Sequence, residues 1–164
     1  MAYESIRGLL GREAAGGRAV VRGWLRTVRH AKGVSFLDVS DGSCLSGIQV
    51  VANPETEGYE AVVRHLTTGS AVACEGALVD SPGKGQRFEV HASKVELVGA
   101  AGSDYPLQKK RHSFEFLRTI AHLRPRTNTI GAVFRIRNAA SMAIHEFFQH
   151  EGFHYLHSPI VTAS

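Results

Sequence analysis

Between Arg18 and Val98 the chain runs through short stretches in which apolar side chains recur at every second position, separated by turns that carry glycine. A period of two sets one face of each stretch against a core and the other toward water, as in half-buried strands. Five strands are expected: Arg18 to Arg29, Val34 to Asp41, Leu45 to Ala52, Ser70 to Asp80 and Gln86 to Val98. Between the third and fourth, Pro54 to Leu66 reads as a helix. Strands this short, broken by glycine turns, close into a small barrel or sandwich.

Three strands, a helix and two further strands is the order of the five-stranded Greek-key OB barrel, whose broad face binds single-stranded oligonucleotides. The expected fold is therefore an all-β OB-fold barrel over residues 1–98, then a hinge over 99–128 and a helical start of a second domain over 129–164. Across the hinge the chain turns glycine-rich and then basic, from Gly99-Ala100-Ala101-Gly102-Ser103 to Lys109-Lys110-Arg111-His112, the composition of a domain boundary. A short helix is expected around Ser113 to His122, a break at Pro125 and a long helix from about Thr129 to His150. Along it Ile130, Val133, Ile136, Ala140, Ile144 and Phe147 recur at three- and four-residue steps, which predicts one buried stripe. Gly152 stops that helix, and Phe153 to Val161 has strand character.

With 43% hydrophobic residues the chain has material for a core, yet no apolar run approaches the roughly 20 residues needed to span a bilayer. The start, Met1-Ala2-Tyr3-Glu4-Ser5, lacks the charged and apolar regions of a secretory signal, so a cytoplasmic location is expected. Cys44 and Cys74 are far apart and lack the spacing of a zinc site or disulfide framework; both are expected reduced and buried. A net charge of +4 and a pI near 9.3 favour a polyanionic partner, with nucleic acid the leading candidate.

Alternation decides which side chains reach that partner. In the second strand Ser35, Leu37 and Val39 share one face and Phe36 takes the other; Gln49 opposes Ile48 and Val50, and Glu89 opposes Phe88 and Val90. If the Leu37 face is the core, an aromatic ring, an amide and a carboxylate converge on one outer surface. A ring stacks on any base for roughly 1–3 kcal/mol, and the polar groups add hydrogen bonds that discriminate. Arg22, Arg26, Arg29, His30 and Lys32 would supply attraction for phosphates. The competing reading puts Phe36 in the core and makes the arginines an ordinary solvated face. Trp24, after Gly23, is read as packing, and the loop Ser81-Pro82-Gly83-Lys84-Gly85 as either a turn or an RNA-touching loop; it lacks the pattern of a phosphate-binding loop. His150-Glu151-Gly152-Phe153-His154 matches the zinc-protease spacing, but Gly152 falls where the helix must continue and no third ligand follows the pattern. No metal site is expected.

Arg22-Gly23-Trp24-Leu25-Arg26, Ser35-Phe36-Leu37-Asp38-Val39-Ser40-Asp41-Gly42-Ser43 and Ile48-Gln49-Val50-Val51 resemble the anticodon-binding barrel of class IIb aminoacyl-tRNA synthetases. After the hinge, Tyr105-Pro106-Leu107, Lys109-Lys110-Arg111-His112-Ser113, Glu115-Phe116-Leu117-Arg118 and His122-Leu123-Arg124-Pro125-Arg126-Thr127 resemble the asparagine enzymes of that class. The resemblance implies that Phe36 stacks on the middle anticodon base, a uridine, that Gln49 and Arg29 reach the same base, and that Glu89 reads the first anticodon position. Simple counting puts Arg29 on the Leu25 face unless the strand bulges.

The long helix with Glu151-Gly152-Phe153 and Ser158-Pro159-Ile160-Val161-Thr162 resembles class II motif 1, which builds the homodimer interface; Gly152, Phe153 and Pro159 are the residues it implies. Residues 129–164 would thus begin the α+β catalytic domain of a class II synthetase. Motifs 2 and 3 are not among these residues, so no catalytic residue is expected in this chain and it is expected to be inactive alone. The resemblance implies an ATP-dependent asparagine–tRNA ligase as the parent, with ATP and Mg²⁺ as its cofactors and tRNA and a second copy as its partners. The alternatives are a non-catalytic tRNA-binding and dimerisation module derived from such an enzyme, and a general single-strand-binding OB protein, which leaves the residues from Tyr105 onward unexplained.

Overall fold

The computed structural model describes residues 3–83 and 85–157. It divides into two compact units at Thr119/Ile120. The first holds a closed barrel of β1 (Arg18–Ala31), β2 (Val34–Ser40), β3 (Ile48–Ala52), β4 (Ala71–Asp80) and β5 (Phe88–Gly99), in the spatial order β1-β2-β3-β5-β4. All neighbours are antiparallel except β3 and β5, which run parallel.

Closure depends on β1, whose first half pairs with β4 and whose second half pairs with β2. The strand changes partner at Gly23 and Trp24, where a side chain on Gly23 would lie 2.4 Å from the Ser40 carbonyl oxygen. Only glycine lets the two backbones approach so closely. Just beyond, the register skips Arg26: Leu25 faces Val39 and Thr27 faces Asp38. This bulge reverses the inside–outside phase of the remaining strand. Leu25 is therefore buried before it, and Val28 packs against the core after it.

Inside the barrel Val21, Leu25, Leu37, Val39, Ile48, Val50, Val72, Cys74, Leu78, Phe88 and Val90 form one core. In β2 the alternation is strict, with Ser35, Leu37 and Val39 buried and Phe36 on the outer face. A five-residue helix α1 (Ile6–Leu10), absent from the sequence expectation, adds Ile6 and Leu9 to the core. Ser5 caps it by accepting from the Gly8 N–H at 3.1 Å, and Asp41 accepts from the Ile6 N–H at 2.8 Å and from the Tyr3 hydroxyl. Burial alone would push the Asp41 carboxyl up, but hydrogen bonds from Ser43, Tyr3 and the Ile6 N–H hold it below its ordinary value.

The helix expected over Pro54 to Leu66 is instead an irregular set of turns with one 3₁₀ turn, Val63–His65. Asn53 Oδ1 accepts from the Glu55 N–H at 3.0 Å, and Gly58 takes φ +87°, outside the helical region. Glu57 pairs with β5 as a lone bridge to Lys94. The apolar spacing that suggested a helix still serves the core, because Tyr59, Val63 and Leu66 are buried. Cys74 is buried, which pushes its thiol up to about 12, whereas Cys44 is only partly buried, contrary to expectation.

Residues after β5 that read as a hinge stay with the first unit as far as Thr119. Ala101 is held at both its polar groups, its N–H by Ser70 Oγ at 3.2 Å and its carbonyl by Thr67 Oγ1 at 2.8 Å. Helix α2 (Phe114–Thr119) lies inside the expected short helix.

In the second unit a 3₁₀ turn, Arg124–Arg126, carries Pro125 and leads into α3 (Asn128–His150). The stripe expected to be buried is not: α3 contains no buried residue, and Ile136 is 70% exposed. The helix ends at Gly152 in the left-handed conformation, with the Phe153 N–H donating to the Phe148 carbonyl and the two rings meeting edge to face at 5.4 Å. No strand forms over residues 153–157, and the rest of the expected strand, with Pro159, lies outside the described residues. Among the described residues no helix is long and apolar enough to cross a membrane.

Candidate nucleic-acid interface

On the outer face of the barrel, Arg29 of β1, Phe36 of β2, Gln49 and Val51 of β3 and Glu89 of β5 line a cleft of about 400 Å³, with Pro82, Gly83 and Gln86 of the β4–β5 loop as its wall. The pairing register explains why they meet. Arg29 faces Phe36, Phe36 faces Val51 and Gln49 faces Glu89, so the side chains form a row across four strands. The bulge at Arg26 is what brings Arg29 to this row, and without it Arg29 would point with Leu25 into the core.

Phe36 presents an apolar ring there, and the Arg29 guanidinium sits 4.5 Å from its centroid. That cation–π contact covers one face of the ring and holds a positive charge beside it. Phe36 and Arg29 both line the cleft, so the pair brings an aromatic ring and a positive charge to one site.

Glu89 is 3% exposed although it belongs to the outer face. A buried carboxylate needs donors to replace water. Its Oε2 accepts from Gln49 Nε2 at 2.9 Å, Ser81 Oγ at 2.9 Å and Gln86 Nε2 at 3.2 Å, and its Oε1 lies 2.9 Å from His91 Nε2. Ser81 falls in the loop read from sequence as a turn or an RNA-touching loop, but no contact with Glu89 was expected of it, of Gln86 or of His91. The first two are loop residues without a periodic signal; His91 follows Glu89 by two positions, so strand phase alone would have placed it on the same face.

Next to this row, Asp38 faces Gln49 across β2 and β3. Burial raises its carboxyl, while Arg26 and Lys109 pull it the other way. Of the five basic residues expected beside the site, only Arg29 lines the cleft. Arg26 donates to the Leu45 carbonyl at 2.8 Å, and His30 Nδ1 lies 2.9 Å from Ser35 Oγ. Trp24 is 40% exposed and stands outside the cleft lining.

The cleft thus sets one aromatic ring, one cation, one carboxylate and two amides on the outside of a five-stranded barrel. Residues 19–98 match the OB-fold nucleic acid binding domain family. Over 159 residues the chain is 55% identical to the asparagine–tRNA ligase of Geobacter sulfurreducens, covering 97% of this chain and 34% of that protein. To the enzyme of the same name from a Synechocystis species it is 58% identical over 148 residues, or 90% of this chain and 32% of that one. Over nearly its whole length the chain is similar to asparagine–tRNA ligases. It spans about a third of the length of these curated relatives.

Solved structures share the fold. Asparaginyl-tRNA synthetase from Pyrococcus horikoshii, in complex with asparaginyl-adenylate, superposes with a TM-score of 0.83 at 24% identity, over 98% of this chain and 37% of that one. Aspartyl-tRNA synthetase from Entamoeba histolytica gives 0.80 at 19% identity, over 97% and 39%. At such identities the likeness speaks for the fold alone.

Proposed function

We propose that this chain is the anticodon-reading part of an asparagine–tRNA ligase. One observation carries the reading: Arg29, Phe36, Gln49 and Glu89, which sit on four different strands, line a single cleft. Phe36 stacks on an unpaired base, Arg29 adds charge, and Gln49 meets the base edge. Glu89 sets the polarity of the floor. The order of contributions follows from their magnitudes, since stacking is worth roughly 1–3 kcal/mol per base and is blind to sequence, while the amides discriminate.

In this reading the tRNA carries the asparagine anticodon, and the protein acts in the cytoplasm. The chemistry of the whole ligase, ATP-dependent and Mg²⁺-assisted attachment of asparagine, belongs to residues other than these. No step of that chemistry is assigned to this chain. Helix α3, with its apolar side chains exposed, is proposed to pack against the same helix region of a second copy, with Gly152, Phe153 and Pro159 at that interface.

Filter binding with anticodon stem-loops tests the function. The expected result is retention of an asparagine-anticodon loop in preference to loops with one anticodon base changed. Equal retention of all loops would make this a general single-strand binder, and no retention would remove the RNA function altogether.

A further inference from the structure

Gln86 forms part of the cleft wall, and its amide is held in one sense. The side-chain nitrogen has two hydrogens and both are committed: Nε2 donates to Ser81 Oγ at 2.8 Å and to Glu89 Oε2 at 3.2 Å. Turning the amide over would set its carbonyl oxygen against a buried carboxylate, so the charge on Glu89 fixes which atom faces the protein. Ser81 cannot accommodate the reversed amide, since its own proton goes to Glu89 Oε2 at 2.9 Å while its oxygen accepts from the Gly83 N–H at 3.2 Å. What Gln86 has left is Oε1, to which no described group donates. Gln49 differs, because its Nε2 makes one bond to Glu89, at 2.9 Å, and keeps a second hydrogen. It offers a donor and an acceptor, where Gln86 offers an acceptor alone.

The geometry points to Gln86 as a specificity-determining residue whose fixed acceptor selects nucleobases that present a ring N–H on the Watson–Crick edge, uracil and guanine, over cytosine and adenine. This rests on the cleft being a single-strand RNA site. Cytosine and adenine carry a bare ring nitrogen at that position, so two acceptors would face each other with their water removed. A site built to accept a hydrogen bond rejects a partner that cannot donate one, because the polar group left behind stays unpaired. Glu89 acts here as the positioning residue. Its carboxylate, nearly enclosed by Gln49, Ser81, Gln86 and His91, orients the two amides that meet the base.

The test uses the full 164-residue chain and two fluorescein-labelled RNA pentamers, U5 and C5, which differ only at position 4 of the ring and in the N3 proton. Fluorescence anisotropy is expected to show U5 binding about tenfold more tightly than C5, the discrimination typical of one good base-edge contact. Gln86→Met should bring the U5-to-C5 ratio close to one, with the loss falling mainly on U5, in a protein that stays folded and melts lower only by the loss of one donor to Glu89. Glu89→Gln should also lower the ratio, because a neutral amide at that position no longer fixes the sense of Gln86. If Glu89→Gln fails to fold, Gln86→Met decides. A ratio kept by folded Gln86→Met, or an equal loss for both pentamers, overturns the selective role and leaves the RNA function standing. Failure of the unsubstituted chain to bind either pentamer overturns both.

Discussion

The barrel and helix α3 follow equally regular apolar patterns, yet among the described residues one pattern is buried and the other is not. In β2 every second residue is buried, whereas in α3 none of the residues recurring at three- and four-residue steps is buried, and Val133 is 53% and Ile144 59% exposed. A barrel closes on itself, so its strands find their partners within one sequence. A lone helix cannot cover its own stripe. Regular patterning therefore reports that a face is meant to be covered, without reporting what covers it.

The sharpest way to break this comparison is native-state hydrogen exchange. Barrel amides should open with free energies near the global value, about 5–15 kcal/mol for a domain of ordinary stability, while α3 should lie near zero in dilute protein. Protection in α3 that rises with protein concentration would sharpen the contrast, since a second copy would then supply the missing cover. Equal protection in both regions at low concentration would break it.

Core truncation should give the next largest contrast. Leu37→Ala removes a fully buried side chain and should cost about 2–5 kcal/mol in urea unfolding. Ile136→Ala, 70% exposed, should stay within about 0.5 kcal/mol. A smaller effect is expected at the cleft: Phe36→Ala should weaken anticodon-loop binding by roughly 1–3 kcal/mol and leave the unfolding midpoint unchanged, because the ring faces outward. Unfolding of that variant would move Phe36 from the binding surface to the framework.

Acid provides the mildest test. The Asp41 carboxyl is held below its ordinary value of 3.8 by its donors, so it stabilises the fold fully above that pH and less as pH falls through the lower native value. Asp41→Asn should melt a few degrees lower at neutral pH, and the gap should close below the ordinary carboxylate value. A gap constant down to the most acid conditions would show that the charge on Asp41 plays no part in holding α1.

Much of this molecule was legible in the alternation of its residues. Phase counting put Phe36, Gln49 and Glu89 on the faces opposite Leu37, Ile48 and Phe88, because a one-residue error flips a strand, but it left open which face is the core. Arg29 needed the bulge at Arg26, which no period reveals, although the family resemblance already suggested it. Pro54 to Leu66 was misread because Tyr59, Val63 and Leu66 are spaced as on a helix, while Gly58 and the Asn53 side chain divert the backbone. The contacts of Ser81 and Gln86 with Glu89 were not legible because a loop residue acquires its role from the strand ends that carry it, and here those ends deliver both to a carboxylate on β5. Pro159 lies outside the described residues, so the dimer reading gains no geometry from it.

The most direct measurement is a two-dimensional NMR titration of the isotope-labelled chain with an asparagine-anticodon stem-loop. Signals of Arg29, Phe36, Gln49, Gln86 and Glu89 should shift together and saturate at one RNA per chain, while those of α3 stay in place. Shifts centred on other surfaces, with these five signals unmoved, would contradict the account.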